Sequence, residues 1–223
     1  MQYEKILRVA LVPTIVFFLL SLVSLALTTH YWILGDWIVP RGVRIGTDYT
    51  IVYFKDNETD ATVASACLNL SAAVMALIAW STLRKPGMDT QFAAGKRRFW
   101  VLSVVVMTIT GATAALASLI LHFSAKGNDP FGCDSETLMM SGKKNTNKFC
   151  TREMASCNFL PKYLKGNDRD NAAIACNEAV VVKWLQLIIV FNALIVLALF
   201  SVQARMRRTT REFRAIDSLP KDY

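Results

Sequence analysis

Carboxylates are missing from the places where a pump or a transporter would need them. No Asp or Glu lies deep in any of the four long apolar runs of this chain, residues 9–27, 61–83, 99–122 and 179–202. Ionisable groups at such positions mark ion and proton pathways. Histidine occurs only twice, as His30 and His122. Neither belongs to an H-E-x-x-H pattern or any paired ligand set, so each reads as an interfacial residue. The five cysteines contain no C-x-x-C, the closest spacing being Cys150 to Cys157, and disulfide-exchanging enzymes rely on such neighbouring sulfurs. Internal repeats and low-complexity tracts are absent too. No catalytic residue, cofactor or metal is therefore expected, and what the sequence offers is architecture.

Each apolar run matches the roughly 20 helical residues that cross a hydrocarbon core about 30 Å thick. The expectation is an all-α membrane protein: one four-transmembrane-helix bundle spanning residues 1–223, with no separate soluble domain. A basic start, an apolar stretch and Ser24-Leu25-Ala26 also fit a cleaved signal peptide, but run one is long beside a signal core of about 7–15 residues.

The net charge of +8 is distributed as a membrane orients it, and not as a nucleic-acid surface. Lys5 and Arg8 precede run one. Arg84, Lys85, Lys96, Arg97 and Arg98 fill residues 84–98 against a single acid, Asp89. The tail, residues 203–223, carries Arg205, Arg207, Arg208, Arg211, Arg214 and Lys221. These segments share one side if all four runs span, and excess Lys and Arg mark the cytoplasmic side. Both termini are expected there.

The opposite side holds two outer loops, residues 29–60 and 124–177. The first is acidic, with an aromatic belt of His30, Tyr31, Trp32 and Trp37 and a β-rich stretch, residues 44–54, beyond Pro40. A short strand or β-hairpin is expected there, with the second loop as the nearest partner for its backbone. The first loop also carries a glycosylation sequon at Asn57-Glu58-Thr59. The second loop contains Cys133, Cys150, Cys157 and Cys176, an even set that reads as two disulfides formed in an oxidising lumen. Three connectivities are open. A nested arrangement, Cys133 with Cys176 around Cys150 with Cys157, is expected because the outer pair would cinch the loop where it meets runs three and four. With few apolar residues of its own, this loop would depend on those bridges for order. Cys67, alone in run two, reads as a small buried hydrophobe.

Runs two and three are rich in small residues. Gly111 and Ala115, and likewise Ala114 and Ser118, stand four apart and would let helices pack closely. Asn69 and Asn192 should make interhelical hydrogen bonds worth about 1 kcal/mol each. Lys183 lies shallow enough to snorkel outward. Beyond run four the helix should continue along residues 203–216, setting its arginines against anionic lipid at about 1 kcal/mol per residue.

Cytoplasmic ends, two outer loops, a short basic inner loop and outer cysteines together resemble the tetraspan membrane proteins. The small first loop and larger cysteine-bearing second loop look most like tetraspanins, although Cys133 and Cys150 each stand alone where a Cys-Cys-Gly signature would be. Claudin-like proteins carry Gly-Leu-Trp and two cysteines in the first loop, where this chain has Gly35-Asp36-Trp37 and no cysteine. The MARVEL group shares the layout with a looser signature. The resemblance is one of architecture, and no functional residue carries over. It implies a non-enzymatic scaffold or auxiliary subunit, at the plasma membrane or in the secretory pathway, that associates laterally with an integral membrane partner or with itself. The rivals are a membrane enzyme (a thiol oxidoreductase or a lipid-modifying protein) and a small channel or transporter formed by oligomerisation.

Overall fold

A computed structural model describes residues 2–38, 43–45, 48–90, 92–140 and 143–217; Pro40, Arg41 and Lys221 lie outside them. Four of its helices are long and apolar enough to cross a membrane: α1 (Gln2–Ile38), α2 (Asn57–Leu83), α3 (Ala94–Ser124) and α6 (Asn167–Asp217). All four exceed their apolar runs. Hydropathy detects the lipid-length core of a helix, whereas the polar turns of α6 before residue 179 are invisible to it. The helix does continue past residue 203, as the sequence suggests.

The long helices bury residues at alternating intervals of three and four. In α1 the buried row is Ala10, Thr14, Phe17, Ser21, Ser24, Thr28 and Tyr31. Along α6 the same spacing runs through Ala175, Ala179, Val182, Gln186, Ile189, Ala193, Val196, Phe200, Gln203 and Arg207. This spacing keeps the buried residues on one stripe of each helix, the face turned toward its neighbours. Much of the seam is hydroxyl-bearing. Thr14, Ser21 and Thr28 each donate to the carbonyl four residues earlier, at 2.7, 2.8 and 2.7 Å, which satisfies a polar group that lipid could not.

By compactness the chain divides into two units, 1–21 with 68–113 and 189–223, and 22–67 with 114–188. In the first, Asn69 donates to the Gly111 carbonyl at 3.0 Å, and a Cβ at Gly111 would stand 2.5 Å from the Asn69 amide oxygen. Glycine is what lets that side chain lie against the α3 backbone. Trp80 donates to the Leu7 carbonyl at 2.7 Å, joining α2 to α1.

The second unit contains a head built from both inter-helix segments. Strands β1 (Val43–Ile45), β2 (Asp48–Phe54), β3 (Asp134–Met140) and β4 (Lys143–Cys150) form one sheet in the order β1-β2-β4-β3. The two outermost pairs are antiparallel hairpins, and β2 runs parallel to β4, with Tyr49 opposite Asn145 and Phe54 opposite Cys150. The expected partner of the β-rich stretch is thus the second segment. From Thr151 the chain turns through α4 (Arg152–Met154), a π-helical turn (Ala155–Phe159) and α5 (Leu160–Tyr163) into α6.

One expectation for this region needs correction. Cys133 is bonded to Cys150 and Cys157 to Cys176, in sequential and not nested pairing. Strand pairing of β3 with β4 brings the first two sulfurs together, and docking of the π-helical turn on α6 brings the last two. The segment packs into a core that it shares with its neighbours: Ile38 of α1, Val52 of β2 and Ala172 of α6 pack with Phe159 and Leu160. Peptide mapping of the unreduced protein should recover 133–150 and 157–176 linked peptides. Replacing Cys133 and Cys150 together by Ser should lower stability by about 3 kcal/mol, the entropy of a closed loop of this length, read as a fall in apparent Tm.

Candidate functional site

Gly35 and Arg152 define how the head meets α1. A Cβ at residue 35 would approach Arg152 Nη1 to 2.9 Å and the Phe54 ring to 3.2 Å, so the glycine leaves the guanidinium a seat against the helix. Seated there, Arg152 donates to Asp36 at 2.7 Å, to the Trp32 carbonyl at 3.1 Å and, on its other edge, to Asp56 at 2.8 Å. Its carbon Cζ lies 4.5 Å from the Phe54 ring centroid and 5.9 Å from that of Trp32. A planar, forked cation can make all of these contacts at once.

The next residue reaches the other helices. Glu153 pairs with Lys183 of α6, and its second carboxylate oxygen lies 3.5 Å from Nδ1 of His122 on α3. The same Nδ1 lies 3.6 Å from a carboxylate oxygen of Glu58, in the first turn of α2. The Glu58 and His122 side chains are each 1% exposed and that of Glu153 is 5% exposed. Nε2 of His122 sits 3.1 Å from the Thr62 hydroxyl, which lies 2.7 Å from that of Ser118. Amides of Arg152 and Glu153 face the Glu58 carboxylate, but neither of its oxygens completes a well-aligned hydrogen bond. Among the described residues no group of His, Cys, Asp and Glu is arranged to hold a metal ion.

Burial opposes ionisation of Glu153, but His122 and Lys183 outweigh it and hold the carboxyl below its ordinary range. Asp129 is set in the same way at the turn into β3. Burial again opposes charge, yet Lys148 at 2.5 Å and the amides of Cys133 and Phe131, at 2.7 and 2.9 Å, depress its titration.

The residues singled out from sequence are scattered around this cluster, not gathered in it. Asn57 is exposed as the first residue of α2. His30 is exposed and pairs with Glu178 at 2.8 Å. Ala115 and Ser118 are both fully buried, next to His122 on the α3 seam. Asn192 does not make the expected interhelical bond through its carbonyl oxygen, which is buried with no hydrogen-bond partner. Cys67 is exposed on α2, not buried, because the seam passes through Ser65, Ala66 and Asn69. Arg205 and Arg208 are exposed on α6, whereas Arg207 falls on its seam, buried, and donates to the Leu83 carbonyl at 3.4 Å. Arg211 and Arg214 lie on the same helix, their side chains outside the described residues.

Sequence reasoning missed Glu58, Glu153 and Gln186. Gln186 is fully buried, accepts from Ser65 at 2.9 Å and donates to Ser24 at 3.0 Å, linking three helices. Seam spacing was the available signal, since Gln186 stands seven before Ala193 and seven after Ala179. Glu58 was obscured by its place within a sequon.

Arg152→Lys keeps the charge but loses the fork, and should reduce stability by roughly 1–3 kcal/mol, measured as apparent Tm of the purified full chain. The pH dependence follows from Asp129 and Glu153. Their folded values lie below the unfolded ones of about 3.9 and 4.3. Their stabilisation is therefore complete above about pH 5 and lost as pH falls through the folded values. In an acid titration of Tm, Asp129→Asn should be less stable at pH 7 and lose less on acidification than the parent. In comparisons with known proteins, no family model, no curated protein and no solved structure matches this chain.

Proposed function

We propose that this chain is a non-enzymatic tetraspan scaffold or auxiliary subunit that binds laterally to another integral membrane protein. One observation carries the reading. The head is held to α1, α3, α6 and the residue preceding α2 by the charged contacts of two adjacent buried residues, Arg152 and Glu153. Such a head keeps its surface in a constant relation to the helix ends that carry it, as a subunit must if it presents that surface to a partner beside the bilayer. Glu58, His122, Glu153 and Lys183 are enclosed and directed at one another, where a substrate would have no approach.

In this reading the head faces the lumen or the cell exterior, in keeping with its two disulfides and the exposed Asn57. The termini face the cytoplasm, where Arg205 and Arg208 meet anionic lipid. Exposed apolar residues such as Leu102, Val106 and Ile109 on α3 belong against lipid tails or a partner helix.

Crosslinking in native membranes, gentle extraction and affinity purification test this. A single stoichiometric membrane partner is expected, retained by the wild type and reduced in recovery for Arg152→Lys, whose head is less firmly held. Recovery of the chain only with itself, together with ion flux in reconstituted liposomes, would turn the reading toward a channel.

A further inference from the structure

Glu58, His122, Glu153 and Lys183 come from α2, α3, α4 and α6 and meet in one enclosure, together with the buried Tyr31 hydroxyl of α1. With both carboxylates ionised, Lys183 charged and the imidazole neutral, that enclosure carries one uncompensated negative charge. Arg152, the other cation nearby, is already engaged by Asp36 and Asp56. An unpaired charge so thoroughly removed from water is strongly unfavourable.

Hydrogen-bond directions show where relief must come. The Thr62 hydroxyl has a single hydrogen and gives it to the Glu58 carbonyl at 2.6 Å. Its oxygen can then only accept, from Ser118 at 2.7 Å and from His122 Nε2 at 3.1 Å, which places a hydrogen on Nε2. A neutral ring with that tautomer would turn the bare lone pair of Nδ1 toward carboxylate oxygens of Glu58 and Glu153. All three facing atoms are buried without a hydrogen-bond partner. One added proton neutralises the enclosure and supplies the missing donor.

We propose that this enclosure is a binding site for a single proton, shared between Nδ1 of His122 and the carboxylates of Glu58 and Glu153. The bound proton holds the head to α2 and α3. The site is independent of which partner, if any, the protein binds.

The test uses the full chain in detergent with His30→Gln as the parent, leaving one imidazole to follow. The native state keeps a proton that an unfolded histidine releases above about pH 6.5. Stability should therefore fall as pH rises beyond that value, approaching a tenfold loss in the folding constant per pH unit. For a chain of this size this is read as a drop in apparent Tm of roughly 3–5 °C per unit. Glu58→Gln removes the surplus charge and offers an amide hydrogen to Nδ1, so its profile should be flat. His122→Gln should be destabilised throughout, and combining it with Glu58→Gln should recover the loss. A Glu58→Gln profile as steep as the parent, or a double variant no more stable than His122→Gln, would falsify the site. Spectra of the folded parent at pH 8 decide the matter even where a variant fails to fold. A doubly protonated His122 ring by nitrogen-15 NMR, or the infrared carbonyl stretch of a protonated carboxyl, supports it. A neutral ring beside fully ionised carboxylates overturns it.

Discussion

Two adjacent side chains of opposite charge, Arg152 and Glu153, determine how the head of this protein is held. They follow β4 at the start of α4, capped by the Thr151 hydroxyl, which accepts from the Met154 amide. Arg152 reaches α1 and the residue preceding α2, and Glu153 reaches α3 and α6. Both are nearly closed to solvent, at 3% and 4% exposure, so neither can release its partners without stranding a charge. The position of β4, and through its parallel pairing the position of β2, follows from that requirement. Disulfides act within the head: one closes the β3–β4 hairpin and the other fastens the π-helical turn to α6. The charged contacts, not the sulfurs, join the head to α1, to α3 and to the residue preceding α2.

A similar rule operates along the long helices in a weaker form. Hydroxyl and amide groups on the buried seams have no water to turn to, and several of them bond to their own helix or across to the next. Ser24, Ser65 and Gln186 form one such crossing, and Asn69 with the Gly111 carbonyl another. Interhelical bonds of this type average well under 1 kcal/mol in membranes. Their effect lies in selecting register: rotating α6 by one residue would move Gln186 away from both serines and Gln203 and Arg207 off the seam.

The spans were legible because lipid imposes a length on apolar sequence, and the second segment was legible as the partner of the β-rich stretch because such a stretch must satisfy its backbone somewhere. Disulfide pairing was not, since spacing alone cannot tell which sulfurs a sheet register brings together. The buried cluster was hidden for a different reason. Glu58, His122, Glu153 and Lys183 lie at the ends of their runs or in the segment joining them, where charged residues ordinarily meet water. Their enclosure arises only when four elements converge. Arg207 and Cys67 show the reverse: a basic tail and an apolar run each suggest an environment for every member, while helix rotation assigns it residue by residue.

An enclosed set of charges can be neutral in more than one way, and this chain chooses one whose balance depends on a proton. Replacing the set by aliphatic residues of similar volume would often be neutral or favourable for stability, so stability alone does not account for its presence. What such a set provides and an aliphatic core cannot is a response to the medium on the side of the membrane where the head lies. On the proposed reading that side is the lumen or the cell exterior, where pH varies most along the secretory route. The grip of the head on α2 and α3, and with it the rigidity of any surface offered to a partner, would then follow the acidity of the compartment the protein has reached.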